Sequence, residues 1–399
     1  MKGMVVMMRN FTYYAPTKVV FGRGAEAEAG RLVREQGAKK VLLHYGGGSA
    51  KRSGLLSRVA ASLAAEGVEC VELGGVVPNP RLSLVYKGIE LCRAEGVDFI
   101  LAVGGGSVID SAKAIGYGVA CGGDVWDFYA RRRKAEGCLP IGTVLTIAAA
   151  GSEMSSSSVI TNEDGWIKRG YNTDFCRLRF AILNPELTMT LPAYQTACGC
   201  VDILMHTMER YFNGGERMEL TEAVSEALMR TVMRNARILL SEPDNYEARA
   251  EIMWAGSLSH NGLTGCGTDG GDWASHMLEH EVGAIFDVAH GAGLAAIWGS
   301  WARYVYRDAP ELFERFALRV MNVAPGASAE ETALRGIEAM EDFYREMAMP
   351  LSLRELGVEP SEEDIVNMAE KCALKGGGAA GVVKRLTAAD MAEIFRAAR

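Results

Sequence analysis

The run Phe99-Ile100-Leu101-Ala102-Val103-Gly104-Gly105-Gly106-Ser107-Val108-Ile109-Asp110 decides how the first half of this chain folds. Five apolar residues stop at three glycines, the pattern of a strand buried on both faces entering a tight turn. Ser107 and Asp110 then stand at capping-box spacing, with Asp for the usual Glu or Gln, so a helix is expected to open there. Upstream, Lys40–Tyr45 followed by Gly46-Gly47-Gly48-Ser49 repeats the unit. Ser49 is the expected cap of a helix whose apolar face is Leu55, Leu56 and Val59. Residues 68–73 read as another strand, and past Pro78-Asn79-Pro80 the spacing of Val85, Ile89 and Cys92 is helical. Strand alternating with helix over short connections implies a parallel sheet covered on both faces, the α/β class.

Glycines at a strand-to-helix turn admit a phosphate close to the backbone, where free N–H groups and the helix dipole favour negative charge. Two such turns point to a nucleotide with a pyrophosphate. The spacing is neither the G-x-G-x-x-G turn nor a Walker A loop, because no G-K-[ST] completes it. Downstream, Thr143, Thr146 and residues 151–158 crowd small hydroxyls together, as a further edge of that site or as a polar loop. Asn184-Pro185-Glu186 and Leu191-Pro192-Ala193 punctuate the chain, and after them only helical patterns occur. The expected organisation is an α/β dinucleotide-binding domain over residues 1–189 and an all-helical domain over residues 190–399.

With 399 residues, 49% hydrophobic and 23% charged, the chain is long enough for two packed domains. A net charge of −8 excludes a general nucleic-acid or anionic-membrane surface. The basic run Arg131-Arg132-Arg133-Lys134 reads as a solvated loop. Nine scattered cysteines without C-x-x-C spacing fit a reducing compartment. The apolar run over residues 1–8 is shorter than a signal h-region, and no stretch approaches the ~18 apolar residues of a membrane span. A cytoplasmic enzyme is expected.

Three of the six histidines lie between residues 271 and 291. His276 and His280, at i and i+4, share a helix face. In an unbroken helix His290 would stand about 21 Å from His276, too far for one ion, so the chain must turn back. Gly283 is the expected weak point and Asp287 the expected N-cap of a second helix carrying His290 in its first turn. Asp202 and His206 share another face, flanked by Val201, Ile203, Leu204 and Met205, and a carboxylate in such company needs a partner. One carboxylate and three imidazoles without thiolate suit a catalytic Fe(II) or Zn(II). His280 is left as a proton relay, a substrate contact or a support; His44 and His260 are assigned to structure.

These stretches, together with Pro16-Thr17-Lys18-Val19-Val20-Phe21-Gly22 and Ser111-Ala112-Lys113, resemble the iron-containing alcohol dehydrogenases, in the branch of butanol dehydrogenases and NADPH-dependent aldehyde reductases. The resemblance implies a dehydroquinate synthase-like architecture with the active site in the cleft between the domains. It implies Asp202, His206, His276 and His290 as metal ligands and His280 as an active-site histidine. Asn79, Gly105, Gly106, Ser107 and Thr146 would contact the cofactor, Lys168 its ribose, and the protein would be a homodimer. Where that family reads P-T-T-A-G-T-G-S-E, this chain has Leu145-Thr146-Ile147-Ala148-Ala149-Ala150-Gly151-Ser152-Glu153, so two hydroxyls are replaced by Ile147 and Ala150.

Cofactor choice has its own argument. NAD-selective sites usually place a carboxylate on the ribose 2′-OH. The turn Gly46-Gly47-Gly48-Ser49-Ala50-Lys51-Arg52 has no acid: Gly47 and Gly48 leave room for a 2′-phosphate, Ser49 can donate, and Lys51 or Arg52 can pair with it. NADP(H) is expected over NAD. The expected function is hydride transfer between an alcohol and an aldehyde, on linear aliphatic substrates such as butanol and butanal. A cyclising lyase similar to dehydroquinate synthase would need many basic residues, which residues 255–295 nearly lack; a non-enzymatic nucleotide or metal sensor would not need all four ligands. Trp126, Phe128, Tyr129, Met154, Trp273 and Phe286 line a substrate pocket or belong to the core.

Overall fold

Six strands form one parallel sheet: β1 (Lys18–Phe21), β2 (Lys40–Tyr45), β3 (Glu69–Leu73), β4 (Phe99–Gly104), β5 (Ile141–Leu145) and β8 (Phe180–Leu183), in the order β1-β8-β5-β4-β2-β3. The computed structural model describes residues 8–215 and 217–399; apart from Met8, the N-terminal apolar run lies outside them. Helices α1 (Ala29–Glu35), α2 (Ser49–Arg52), α3 (Leu55–Ala65), α4 (Leu82–Glu95), α5 (Gly106–Cys121) and α6 (Trp126–Tyr129) are interleaved with the strands. A separate antiparallel pair, β6 (Ser157–Asn162) and β7 (Ile167–Asn172), is inserted before β8.

Alternation along the buried strands sends side chains to two cores. Leu42, Ile100, Ala102, Ala181 and Leu183 pack on one face with Val85 and Ile89 of α4 and Ile109, Ala112 and Ile115 of α5. Val41, Leu43, Phe99, Leu101, Val103, Val144, Phe180 and Ile182 pack on the other with Leu32 and Val33 of α1 and Leu56, Val59 and Leu63 of α3. Every residue of β4, β5 and β8 is buried, and the β4 stretch accordingly reads as a continuous apolar run. Edge strand β3 instead exposes Glu69 and Glu72.

Two helix starts differ from expectation. Ser107 is not the cap of α5: Gly105 holds that position, and the Asp110 carboxylate turns away to accept from Ser152 Oγ at 2.6 Å and from the Val159 N–H at 2.9 Å. Ser49 is likewise the first residue of α2, after Gly48, and the helix carrying Leu55, Leu56 and Val59 begins anew after Gly54 in a left-handed conformation. Asp110 works with Lys113, whose buried ammonium donates to the carbonyls of Ser152, Ser155 and Ser157 at 2.7, 3.1 and 2.7 Å. The hydroxyl-rich segment is thus pinned onto α5 by a fully satisfied buried charge.

His44 is structural. Its Nδ1 donates to the Leu73 carbonyl at 2.8 Å, which leaves Nε2 to accept from Ser111 Oγ at 2.9 Å. Burial pushes its pKa down to about 4, so the ring is neutral.

The chain divides into two compact units. The sheet unit is Ala15–Leu191 plus Asp244–Ser257; the other comprises, among the described residues, 8–14, Pro192–Pro243 and Leu258–Arg399. The second unit is built of helices α7 (Ala193–Tyr211), α8 (Glu219–Ser241), α10 (Ala274–Phe286), α11 (His290–Val305), α12 (Pro310–Arg319), α13 (Ala329–Glu346), α14 (Glu362–Lys375) and α15 (Ala388–Ala398), while α9 (Tyr246–Ser259) belongs mostly to the sheet unit. Phe212, Trp301, Phe313 and Phe316 stack into an aromatic core, with Phe212 and Phe313 centroids 4.4 Å apart. Capping boxes with Asp in the third position do occur, at Ser361–Asp364 of α14 and Thr387–Asp390 of α15.

Candidate metal centre and nucleotide turn

Helix α7 presents Asp202, His206 and Glu209 at i, i+4 and i+7, hence on one face. The loop leading to α10 docks on the end of α7: the Asp272 N–H donates to the carbonyls of Glu209 and Phe212 at 2.7 and 2.8 Å. A Cβ at Gly271 would collide with the Glu209 carbonyl, so this approach requires glycine. Asp272, fully buried, also accepts from the N–H groups of Ala274, Val382 and Val383, and burial pushes its carboxyl up to about 6 against those bonds.

The turn between the histidines lies where needed but is made differently. Gly283 does not interrupt α10, which runs on to Phe286 with Gly283 buried inside it. Asp287 does not cap the next helix; it ends α10 in the left-handed region at φ 51°. Ala289 occupies the N-cap of α11, and His290 is its first residue.

Asp202, His276 and His290 each offer a ligand atom, all within 4.8 Å of one another. Asp202 Oδ1 lies 3.6 Å from His276 Nε2 and 3.7 Å from His290 Nε2. His206 turns Nδ1 to the same oxygen at 3.2 Å and stands outside that triplet, its ring 4.0 Å from His260 and 4.5 Å from His276. The Nδ1 atoms of His276 and His290 face the carboxylates of Glu209 and Glu279.

Electrostatics favour a cation at this point. Burial works to raise the Asp202 pKa, but the surrounding imidazoles prevail and hold it well below the usual carboxylate range. Burial lowers His276, yet Glu209 and Asp202 outweigh it and lift the ring to about 9, while burial drives His206 well below its ordinary value. Asp202 Oδ1, His206 Nδ1 and His276 Nε2 are buried without a hydrogen-bond partner among the described residues. Such atoms cost about 1–3 kcal/mol each unless something binds them. A divalent ion fits this set: one carboxylate oxygen and imidazole nitrogens, with further negative charge behind.

A second triplet, Glu279, His280 and His290, also has ligand atoms within 4.8 Å. It is unsuited to another cation, since Lys375 Nζ lies 2.6 Å from His280 Nδ1. An ammonium only donates, so Nδ1 accepts and the ring proton of His280 sits on Nε2. Arg210 is similarly committed: it donates to the carbonyls of His206 and Ser259 at 2.8 and 3.0 Å and to His260 Nδ1 at 3.0 Å. Burial lowers its pKa to about 10, and its guanidinium lies over Trp273. Trp273, half-buried, stands 5.5 Å from His276. Trp126, Phe128 and Tyr129 belong to the sheet core, and Met154 is buried; Phe286 is half-buried at the end of α10.

In the sheet unit the chain passes from β2 outward to β3, then returns across β2 to β4. This reversal makes the carboxyl ends of β2 and β4 a topological switch point, where open α/β sheets take their ligands. Gly47, Gly48 and Ser49 follow β2 there; Gly105, Gly106 and Ser107 follow β4. Thr146 follows β5 and its N–H donates to the Gly104 carbonyl at 3.0 Å. Lys51 and Arg52 are exposed on α2. Asn79, buried with φ 54°, lies in the segment after β3. Lys168, buried on β7, pairs across from Thr161, whose N–H donates to Pro80 at 2.9 Å, so it is brought beside that segment. Ile147 packs against Gly105, and Ala150 lies 3.0 Å from where a Cβ on Gly106 would stand.

Sequence reasoning passed over Glu209, Glu279, Arg210 and Lys375. Two were detectable: Glu209 falls three residues after His206 and Glu279 three after His276, each on a face that carries candidate ligands. Lys375 carries no local signal, as 95 residues separate it from His280.

A doubly wound sheet with glycine turns at its switch point, joined in one chain to a buried carboxylate–imidazole cluster, defines a class of nucleotide- and metal-dependent enzymes. Family models agree with it: the iron-containing alcohol dehydrogenase model matches residues 16–185, and the C-terminal model of the Fe-containing alcohol dehydrogenase family matches residues 196–399. The chain is 42% identical to the probable NADH-dependent butanol dehydrogenase 2 of Bacillus subtilis over 98% of this chain and 100% of that protein. It is 33% identical to the NADPH-dependent aldehyde reductase YqhD of Escherichia coli, over 89% and 91%. The solved NADH-dependent butanol dehydrogenase A of Thermotoga maritima superposes with a TM-score of 0.94 at 40% identity, covering 98% of this chain and 99% of that one. The chain therefore belongs to the iron-containing alcohol dehydrogenase family. It is an alcohol–aldehyde oxidoreductase that uses a nicotinamide cofactor.

Proposed function

We propose that this enzyme interconverts linear aliphatic alcohols and aldehydes, butanol and butanal among them, with NADP(H) and a divalent metal, Fe(II) or Zn(II), on Asp202, His206, His276 and His290. The observation that carries this reading is the convergence of Asp202 Oδ1 with the Nε2 atoms of His276 and His290 at 3.6 and 3.7 Å. When bound, the metal supplies Lewis acidity toward the carbonyl oxygen and the nicotinamide supplies the hydride. The chain's own residues do the rest. Asp202 brings negative charge and the histidines brace it; Trp273 covers His206 and His276 with an apolar ring that keeps water off. His280, protonated on Nε2, is the donor for the alkoxide oxygen.

Support for NADP(H) comes from the first glycine turn: residues 46–52 hold no carboxylate, and Arg52 folds beside Gly48. The relatives' names do not choose, since two of those described are named for NADH and one for NADPH. A homodimer in the cytoplasm is part of the same proposal, on the family resemblance and on nine free cysteines. Among the described residues no helix is long and apolar enough to cross a membrane.

The test is an alcohol and aldehyde panel with both cofactors, on metal-stripped protein restored with Fe(II), Zn(II), Co(II) or Ni(II). Butanal reduction with a net fall at 340 nm and a higher kcat/KM for NADPH is expected. A kcat/KM for NADH equal to or above that for NADPH overturns the cofactor assignment. Absence of any net change at 340 nm across the panel overturns the reaction.

A further inference from the structure

The geometry points to Glu209 and Glu279 as positioning residues that hold His276 and His290 with Nε2 toward Asp202, leaving His206 as the one candidate ligand ring without a carboxylate behind it. This rests on the metal reading above and goes beyond it to residues outside the candidate ligand set.

Glu209 grips His276 twice. Its Oε1 accepts the His276 backbone N–H at 2.9 Å, and its Oε2 faces the ring Nδ1. Both atoms are on one carboxylate that is 1% exposed and comes from α7, so one side chain sets the position of α10 and the rotation of the ring. Glu279, fully buried, faces Nδ1 of His290 from the preceding helix. Gly293 of α11 gives it room: a Cβ there would stand 2.9 Å from Glu279 Cγ. An ionised carboxylate can only accept, so each Nδ1 carries a ring proton and Nε2 is the nitrogen left to face an ion. Both Nε2 atoms then face Asp202 Oδ1. A carboxylate behind an imidazole also raises its basicity as a ligand.

His206 lacks this arrangement. Its Nδ1, the atom fixed in its two neighbours, is the one that approaches Asp202, and its ring packs against His260. The candidate ligand set is thus graded: two imidazoles braced by carboxylates and one held by ring packing alone.

The experiment compares wild type, E209Q, E279Q and E209D loaded with Co(II) or Zn(II), without substrate or cofactor. Metal release into excess chelator and the visible absorption of Co(II) are recorded, with thermal melting of the metal-free proteins alongside. Each Gln variant is expected to release metal about 10- to 100-fold faster and to shift the Co(II) bands. E209D, which keeps the charge, is expected to recover most of the retention even where E209Q melts lower. Gln variants as retentive as wild type, with the same spectrum, overturn the positioning role. So does an E209D that loses metal as fast as E209Q. A wild type that takes up no Co(II) or Zn(II) overturns the metal reading itself, a different result from a loaded wild type with equally retentive variants.

Discussion

Gly291 lies so close to Cys198 that a Cβ on it would collide with the Cys198 carbonyl. The contact joins α11 to α7 one residue after His290 and one helical turn before Asp202, and so sets the distance between two candidate ligands. In G291A the helices must separate. A loss of about 1–3 kcal/mol from overpacking is expected, with a larger proportional loss of bound metal. Denaturant unfolding and metal content measure the two effects, and a variant with wild-type values for both would show that the contact is slack.

H276A should lose metal and turnover together, since the imidazole is both a proposed ligand and the partner of Glu209. H206A should retain metal better than H276A. Metal content by elemental analysis, set beside butanal reduction, gives the order; equal retention in both variants contradicts it.

H280A should keep its metal and lose about 10²- to 10⁴-fold in kcat, the range for a positioned acid or base. Turnover within a few-fold of wild type, with metal in place, would remove His280 from the proton path.

Replacing Lys51 and Arg52 together by Ala should lower kcat/KM for NADPH about 10-fold or more and leave NADH nearly unchanged, because a charge-assisted hydrogen bond is worth about 1.5–3 kcal/mol. An equal fall with both cofactors would place these residues on the shared part of the nucleotide.

Acid should weaken the fold through His44. An unfolded chain protonates this ring below about 6.5, the folded one only near 4. Between those values the unfolded state binds more protons, so stability falls as pH drops, by up to about 3 kcal/mol, and is fully present above 6.5. H44Q, which keeps a donor and an acceptor, should lose less stability than wild type between pH 7.5 and 5. Parallel losses in urea titrations would refute this.

The parallel sheet was legible because β2 and β4 are buried on both faces and end in glycine turns. Strands β1, β5 and β8 are only four or five residues long, and the β6–β7 pair alternates only weakly, so they emerge only from pairing. Helix caps were the least legible: Ser49, Ser107 and Asp287 have the right chemistry one or two positions from the real caps, which are Gly48, Gly105 and Ala289 and make no side-chain cap bond. The candidate ligands could be found by spacing, since i and i+4 place side chains on one face. What spacing could not give is the meeting of α7, α10 and α11, which depends on close approaches at Gly271 and Gly291.

The path of the chain bears on its biosynthesis. Met253 belongs to the core of the sheet, Ser257 Oγ donates to Glu153 at 2.6 Å, and the Arg23 guanidinium lies 3.7 Å over the Tyr246 ring. A ribosome that has just finished residue 191 has therefore released a sheet that lacks part of its own interior. That interior closes only when α9 emerges, after α7 and α8 have been made. A chain stopped near residue 190 should be captured by chaperones and digested readily, and one extended through residue 257 should resist protease far better.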